Sequence, residues 1–343
     1  MIVEMRQGAS QAQVDAVIAR AESYDFSTQL NVGTDKVVVA VLGSNTGQVS
    51  TDQFAVLPGV ESVTRIMRPY KLTSREFKKE TSTVQVGDVK LGGEEVVVIA
   101  GPCSVESYEQ LSTTAQHVQT QGARMLRGGA FKPRTSPFSF QGLRDEGVRL
   151  LDRVKLETGM PVISEITDPH LLDIMIDYVD VLQIGARNMQ NYSLLRAVGR
   201  SGKPCMLKRG LASTVTEWLQ AADYLLAAGD GQVILCERGI RTYETSTRFT
   251  LDISAVGVVK HHSHLPVFVD PSHPAGHYQL VPTLAKAAVA AGADGLIIEV
   301  HPDPANAMSD GLQSLTFSDF TRLMGSLRAI ATAVGRRIGA SLM

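Results

Sequence analysis

In residues 1–70, the spacing of hydrophobic positions switches between the two-residue period of strands and the 3.6-residue period of helices. The stretch QAQVDAVIARAESYDF predicts an amphipathic helix, with Val14, Val17, Ile18 and Ala21 on one face. Strands are predicted before it at MIVEMRQG and after it at STQLNVG and KVVVAVLG; a short helix at STDQFAVL and a last strand at VESVTRIM complete the pattern. The order β-α-β-β-α-β predicts a ferredoxin-like domain.

From residue 96 onward, apolar strand-like runs alternate with helical stretches. The runs cover residues 96–103, 123–129, 161–167, 181–186, 205–210, 233–239, 266–273 and 295–301. One helix, at residues 214–229, begins with a capping box formed by Thr214 and Glu217. Eight strand–helix units over about 245 residues predict an α/β fold of the (β/α)₈ TIM-barrel type. A doubly wound sheet is the alternative, but its Gly-rich dinucleotide motif is missing.

These patterns divide the chain into three parts. Residues 1–70 form the ferredoxin-like domain, for which we expect a regulatory role. Residues 71–95 form a polar linker, followed by a hairpin that turns at Gly87-Asp88 and caps the barrel. Residues 96–343 form the catalytic barrel.

Composition narrows the classes of function. The chain has 343 residues and a net charge of −2, which argues against a nucleic-acid or membrane-surface binder. No apolar run reaches 18 residues and no secretory signal is visible, so we expect no membrane span. The odd count of three scattered cysteines favours a reducing, cytoplasmic location over a disulfide framework.

Polar residues follow every strand of the predicted barrel, at the end where barrel enzymes keep their active sites. A single arginine there could equally form a rim salt bridge. Many like charges together persist only if an anion offsets them, so the expected ligand is a multiply anionic small molecule. The cationic set is Arg127, Lys132, Arg134, Arg187, Lys208, Arg238 and Arg241.

A second set of polar residues closes strands 1, 7 and 8, which are neighbours in a closed barrel. It comprises Cys103, His273, Glu299 and Asp310. One thiolate, one imidazole and two carboxylates suit a divalent transition metal. Taken alone, Cys103 could be a small buried hydrophobe and His273 a structural residue. We expect Cys205 and Cys236 to be packing residues, and His261, His262 and His264 to lie on a surface loop.

The motifs AGPCS, RGGAFKPRTSPFSFQG, QIGARNMQN, KRG, ILCERGIRTYE, VDPSH and IIEVHP resemble the 3-deoxy-D-arabino-heptulosonate 7-phosphate (DAHP) synthase family. The resemblance is to its short class, which carries an N-terminal ferredoxin-like domain. It implies a metal-dependent transferase that joins phosphoenolpyruvate to erythrose 4-phosphate in the first step of the shikimate pathway. A related family makes 3-deoxy-D-manno-octulosonate 8-phosphate from arabinose 5-phosphate, but residues 132–136, KPRTS, resemble the motif for the four-carbon sugar.

The resemblance also implies roles for individual residues. Phosphoenolpyruvate would be held by Arg127, Lys132, Arg187, Lys208 and Arg238, and erythrose 4-phosphate by Arg134 and Thr135. The metal ligands would be Cys103, His273, Glu299 and Asp310, with Mn²⁺ expected and Co²⁺, Zn²⁺ or Fe²⁺ acceptable. Catalysis would depend on Lys132, Cys103 and His273. We expect Lys132 to move a proton with a lowered pKa, and Glu165 is a candidate for activating water.

For the small domain, the resemblance implies feedback inhibition by tyrosine or phenylalanine. Gln29 and Asn31 could hydrogen-bond such an effector, although both could simply be exposed on an edge strand. The resemblance further suggests a homotetramer. A catalytically dead sensor would lack a metal ligand or the lysine, and none is missing here.

Overall fold

The computed structural model describes residues 1–33, 36–43, 45–65, 68–133, 136–229 and 232–339. Contacts divide the chain into two compact units. The first contains Met1–Thr81 together with His262–His264, and the second contains Ser82–His261 and the chain from Leu265 onward. Within the described residues, no helix is long and apolar enough to cross a membrane.

The first unit is a four-stranded antiparallel sheet with two helices, and its order confirms the predicted ferredoxin-like fold. The sheet order is β2-β3-β1-β4. Its elements are β1 (Ile2–Met5), α1 (Gln11–Glu22), β2 (Ser27–Val32), β3 (Val37–Leu42), α2 (Asp52–Ala55) and β4 (Val60–Thr64). The predicted apolar face of α1 packs on the sheet through Val14, Val17 and Ala21, which join Val39 and Val41 in one core.

The segment that follows this sheet was expected to be a polar linker, but its apolar residues are buried. Tyr70, Leu72 and Phe77 are 4%, 2% and 8% exposed, so residues 68–81 pack as part of the first unit. The ring Nε2 of His264 lies 2.7 Å from the carbonyl oxygen of Leu72. His264 is only 4% exposed, so the prediction that it lies on the surface is wrong. Burial, together with the cationic Lys78, lowers its pKa to about 4.

A hairpin of β5 (Val84–Val86) and β6 (Val89–Leu91) begins the second unit. Its turn uses Gly87 at φ 58°, a left-handed conformation that glycine adopts readily. The four apolar side chains of the hairpin join the barrel's interior cluster. Gly92 lies against Pro266, which immediately precedes a barrel strand, so the hairpin closes the N-terminal end of the barrel.

The rest of the second unit is a closed parallel barrel whose eight strands confirm the predicted TIM-barrel architecture. The strands are β7 (Val97–Gly101), β8 (Met125–Arg127), β9 (Val162–Ile166), β10 (Val181–Ile184), β11 (Cys205–Lys208), β12 (Val233–Glu237), β13 (Val267–Val269) and β14 (Gly295–Glu299). Closure pairs β14 with β7, so residues almost 200 positions apart become neighbours. All eight strands are fully buried except at Glu165, as expected for strands covered on both faces.

Helices surround the barrel between its strands. They are α3 (Tyr108–Thr120), α4 (Asp145–Thr158), α5 (Leu172–Tyr178), α6 (Tyr192–Arg200), α7 (Val215–Ala228), α8 (Ser254–His262), α9 (Ser272–Ala275), α10 (Val281–Ala290) and α11 (Phe317–Ala333). The predicted capping box begins α7: the Glu217 amide donates to Thr214 Oγ1 over 3.2 Å, and the Thr214 amide donates to Glu217 Oε2 over 2.7 Å. Cys205 and Cys236 are buried packing residues, as predicted.

Candidate active site

A cavity of about 290 Å³ opens at the C-terminal ends of the barrel strands, and cationic side chains line it. The cations are Arg127, Lys132, Arg187, Lys208, Arg238 and Arg248. Five of them belong to the predicted set, whereas Arg248 was not predicted. Arg241 is exposed and does not line the cavity. Arg134 and Thr135 lie outside the described residues.

Two of the cavity's arginines have buried N–H groups without hydrogen-bond partners among the described residues. These groups are Nε and Nη1 of Arg127 and Nη1 of Arg238. The two side chains are buried, and burial lowers the pKa of Arg238, whose guanidinium lies 4.3 Å from the ring centre of Phe249. Leaving a buried donor unpaired costs roughly 1–3 kcal/mol, and more for a charged group. These donors therefore fit an anionic ligand that would accept their hydrogen bonds.

Other cavity cations have partners within the barrel. Arg127 Nη2 lies 3.0 Å from Glu299 Oε1, and Lys208 Nζ lies 2.5 Å from Asp270 Oδ2. Arg187 is exposed and donates from Nη1 to the carbonyl oxygen of Pro133 over 3.1 Å. The cavity thus has buried cations paired with buried carboxylates and one exposed cation, Arg187, that contacts the backbone.

Three of the four predicted metal ligands form one cluster beside this cavity. Donor atoms of Cys103, Glu299 and Asp310 all lie within 4.8 Å of one another. The fourth, His273, has its Nε2 3.6 Å from Glu299 Oε1. The pairing of β13, β14 and β7 explains this meeting, because the ends of these strands lie side by side. A thiol, an imidazole and two carboxylates fit a divalent transition metal.

Asp270, which was not predicted, holds His273 in place. Its Oδ2 lies 2.7 Å from His273 Nδ1, and its Oδ1 accepts hydrogen bonds from the backbone amides of Ser272 and His273 over 3.0 and 3.1 Å. Burial lowers the pKa of His273, which favours the neutral imidazole, and its Nε2 lies 3.6 Å from Glu299 Oε1. Burial opposes ionisation of Asp270, but His273 and Lys208 hold its pKa well below the ordinary value. An aspartate three residues before a histidine at a strand end is the sequence signal for this arrangement.

Lys132 reaches from the loop after β8 to the metal cluster. Its Nζ lies 3.1 Å from both the sulfur and the carbonyl oxygen of Cys103. Our expectation that its pKa is lowered is wrong: burial disfavours the charged amine, but Cys103, Glu165 and Glu299 together raise the pKa above the ordinary value. Burial, and next Glu299, raise the pKa of the Cys103 thiol to about 12.

Glu165 lines the cavity from the end of β9, and glycine makes room for it. A Cβ atom at Gly185 would lie 2.0 Å from Glu165 Oε1. Because Gly185 has an ordinary φ of −67°, the backbone does not require glycine, and the side chain of Glu165 does. The position after β10 is therefore part of the site although it carries no functional group.

In the first unit, Asn31 and Gln29 point to the same side of the edge strand β2, since side chains alternate along a strand. The Asn31 amide donates from Nδ2 to the carbonyl oxygen of Phe77 over 3.3 Å. Asn31 therefore contacts the buried segment after the sheet instead of lying free on the surface. A role for either residue in binding an effector stays a prediction.

Each of the two units matches a known protein family. Residues 76–334 match the family described as "DAHP synthetase I family", and residues 1–68 match the "DAHP synthase ferredoxin-like domain". A phospho-2-dehydro-3-deoxyheptonate aldolase from Thermotoga maritima is 45% identical over 98% of this chain and 100% of its own length. A 2-dehydro-3-deoxyphosphooctonate aldolase from Syntrophotalea carbinolica is 32% identical over 74% of this chain and 97% of its own length.

Solved structures extend the similarity to three dimensions. The crystal structure of the phospho-2-dehydro-3-deoxyheptonate aldolase (DAHP synthase) from T. maritima aligns with a TM-score of 0.79 at 45% identity, covering 98% of this chain and 99% of that chain. A truncated form of the T. maritima 3-deoxy-D-arabino-heptulosonate 7-phosphate synthase aligns with a TM-score of 0.74 at 44% identity, covering 79% of this chain and 99% of that chain. The sequence matches cover both units, and the chain therefore belongs to the DAHP synthase family of enzymes.

Proposed function

We propose that this chain condenses phosphoenolpyruvate with erythrose 4-phosphate and water to give DAHP and phosphate. The observation that carries the proposal is a set of buried guanidinium N–H groups that lack partners among the described residues, on Arg127 and Arg238, two arginines that line the cavity. Phosphoenolpyruvate presents a phosphate and a carboxylate, both of which accept paired hydrogen bonds from arginine. With Lys208 and Arg187 also lining the cavity, the positive charge suits both substrates, each of which is a phosphate ester.

A divalent cation belongs to the same proposal. Cys103, His273, Glu299 and Asp310 would hold it, and the donor types fit Mn²⁺, Co²⁺, Zn²⁺ or Fe²⁺. When bound, such an ion supplies Lewis acidity next to the sugar's aldehyde oxygen.

The protein's own side chains would then donate and accept the protons of the reaction. C3 of phosphoenolpyruvate forms a bond to the aldehyde carbon, water adds at C2, and phosphate leaves by cleavage of its C–O bond. Lys132, whose Nζ lies 3.1 Å from Cys103 Sγ, would donate a proton to the oxygen of the former aldehyde. Glu165 lines the same cavity and is our candidate for accepting the proton of the attacking water.

The alternative sugar, arabinose 5-phosphate, belongs to the octulosonate relatives. Two observations favour the four-carbon sugar: the match of residues 1–68 to a domain of DAHP synthases, and the higher identity to the heptonate enzyme, 45% against 32%. The KPRTS motif at residues 132–136 supports the same choice.

The remaining proposals concern regulation and assembly. The first unit would bind tyrosine or phenylalanine and inhibit the barrel, with Gln29 and Asn31 as contacts. The chain would assemble as a homotetramer in the cytoplasm, where its three buried, unbridged thiols stay reduced. Light scattering of the protein as it elutes from a gel-filtration column would measure the number of chains per particle. A monomer would contradict the proposed tetramer.

The central experiment measures phosphate release from phosphoenolpyruvate with each sugar phosphate, with and without a chelator. We expect turnover with erythrose 4-phosphate, a much lower kcat/KM with arabinose 5-phosphate, and loss of turnover with chelator that added Mn²⁺ restores. A preference for the five-carbon sugar would overturn the substrate assignment. Full activity of metal-free protein would overturn the metal assignment alone.

A further inference from the structure

Gln313 lies behind the candidate metal cluster and contacts one of its carboxylates. It is 1% exposed, and its Nε2 donates to Glu299 Oε2 over 2.7 Å. Its Oε1 accepts a hydrogen bond from Arg248 Nη1 over 2.8 Å. The two contacts define the orientation of the amide, because the reversed amide would set oxygen against the Glu299 carboxylate and nitrogen against the guanidinium.

Arg248 also contacts the second carboxylate of the cluster, that of Asp310. The same Nη1 donates to Asp310 Oδ1 over 3.2 Å. Glu299 and Asp310 are therefore joined through Gln313 and Arg248. The other oxygen of each carboxylate faces the cluster: Glu299 Oε1 lies 3.6 Å from His273 Nε2, and Asp310 Oδ2 lies 3.3 Å from Cys103 Sγ.

The backbone of Asp310 lies in the left-handed region, with φ 47° and ψ 34°, which non-glycine residues seldom occupy. Its loop follows β14, whereas Arg248 comes from the loop after β12. Two different βα units thus determine where the Asp310 carboxylate lies, and the Arg248 guanidinium offsets the negative charge of Asp310 beside Glu299.

We propose that Gln313 and Arg248 are positioning residues that set the separation of the Glu299 and Asp310 carboxylates and so control how tightly the cation is held. The inference rests on the metal site of the proposed function. Outer partners of metal ligands typically change metal affinity by about 10–100-fold when they are removed. Neither residue needs to touch the ion or the substrates for this effect.

The test uses the full chain loaded with Co²⁺ and titrated with EDTA, followed by the thiolate-to-Co²⁺ absorption band. Gln313→Met keeps the side-chain volume but removes both hydrogen bonds. We expect it to show the band and to lose it at an EDTA concentration about 10–100-fold lower than wild type. We also expect excess metal to restore its kcat, which a damaged fold would not allow. Gln119→Met is the matched control: it removes one amide contact, 2.7 Å from Nε2 to the Thr158 carbonyl oxygen, far from the cluster.

The outcomes distinguish the metal site itself from the positioning role of Gln313 and Arg248. A band that is missing in wild type, or unchanged in Cys103→Ser, would overturn the metal site itself. A wild-type band with the same EDTA midpoint in Gln313→Met would overturn the positioning role alone. If Gln313→Met does not fold, Arg248→Lys replaces it: a lysine cannot contact Asp310 and Gln313 with the arginine's geometry, so the midpoint must shift in the same direction.

Discussion

At the scale of single residues, the unpaired N–H groups of Arg127 make the sharpest prediction. Arg127→Lys can keep an ion pair with Glu299 but loses Nε and Nη1, the donors without partners among the described residues. A hydrogen bond to a charged group contributes about 1.5–3 kcal/mol, so we expect kcat/KM for phosphoenolpyruvate to fall about 10–150-fold. Steady-state kinetics measure this. Arg153→Lys, at an exposed pair with Glu157 on α4, should leave kcat/KM unchanged. Equal kinetics in wild type and Arg127→Lys would contradict the proposed anion contact.

Gly185 offers a way to displace Glu165 without mutating it. In Gly185→Ala the backbone keeps its ordinary φ, but the new methyl group overlaps Glu165 Oε1 and pushes the carboxylate aside. If Glu165 accepts a proton from water, we expect kcat to fall by about 10²-fold or more, the usual contribution of a general base. Thermal unfolding should stay near that of wild type. An unchanged kcat would remove Glu165 from the mechanism.

At the scale of elements, His264 makes the segment 68–81 sensitive to acid. Its pKa is lowered to about 4 in the folded protein, against about 6.5 when unfolded. The unfolded state therefore binds more protons between these values, and local stability falls as the pH drops from 6.5 to 4. The full loss is about 3 kcal/mol, from 1.36 kcal/mol for each pH unit.

Hydrogen exchange at residues 68–81 measures this loss directly. Tryptophan fluorescence would not, because Trp218, the single tryptophan, lies in the barrel and reports on the other unit. His264→Gln keeps a donor for the Leu72 carbonyl oxygen but does not titrate. We expect the pH-dependent opening in wild type and not in the variant. The same acid response in both would show that another group is responsible.

At the scale of the whole molecule, the division into two units predicts that the barrel folds without residues 1–70. The closed sheet and its N-terminal hairpin both lie in the second unit. The truncated T. maritima structure, which covers 79% of this chain, supports the same expectation. Circular dichroism and the phosphate assay should therefore find a folded, active barrel, and an unfolded product would contradict the division.

The same truncation tests regulation. If the first unit is a sensor, tyrosine or phenylalanine should inhibit the full chain and not the truncated one. A coupling of about 1–3 kcal/mol corresponds to a 5–150-fold effect. Equal inhibition of both would place the effector on the barrel. Inhibition of neither would leave Gln29 and Asn31 without a binding role.

Local pattern alone predicted most of the fold, because each element depends on the spacing of its own apolar residues. The eight barrel strands, the ferredoxin-like order and the capping box at Thr214 all follow from residues close together in the chain. The polar strand ends also indicated the site, since parallel strands in a closed barrel bring their carboxyl ends to one face. Five predicted cations and the cluster of Cys103, Glu299 and Asp310 lie there.

Only the tertiary structure decided which charges pair and what their surroundings do to them. Arg127 meets Glu299 across 172 positions, and Arg248 meets Asp310 across 62, distances over which sequence spacing carries no information. The raised pKa of Lys132 and the burial of His264 depend on neighbours from other elements. Electrostatic and burial effects follow distances in space, whereas hydrophobic periodicity follows positions along the chain. The sequence therefore determined the elements and the end of the barrel that holds the site, and the fold determined the pairing and protonation within it.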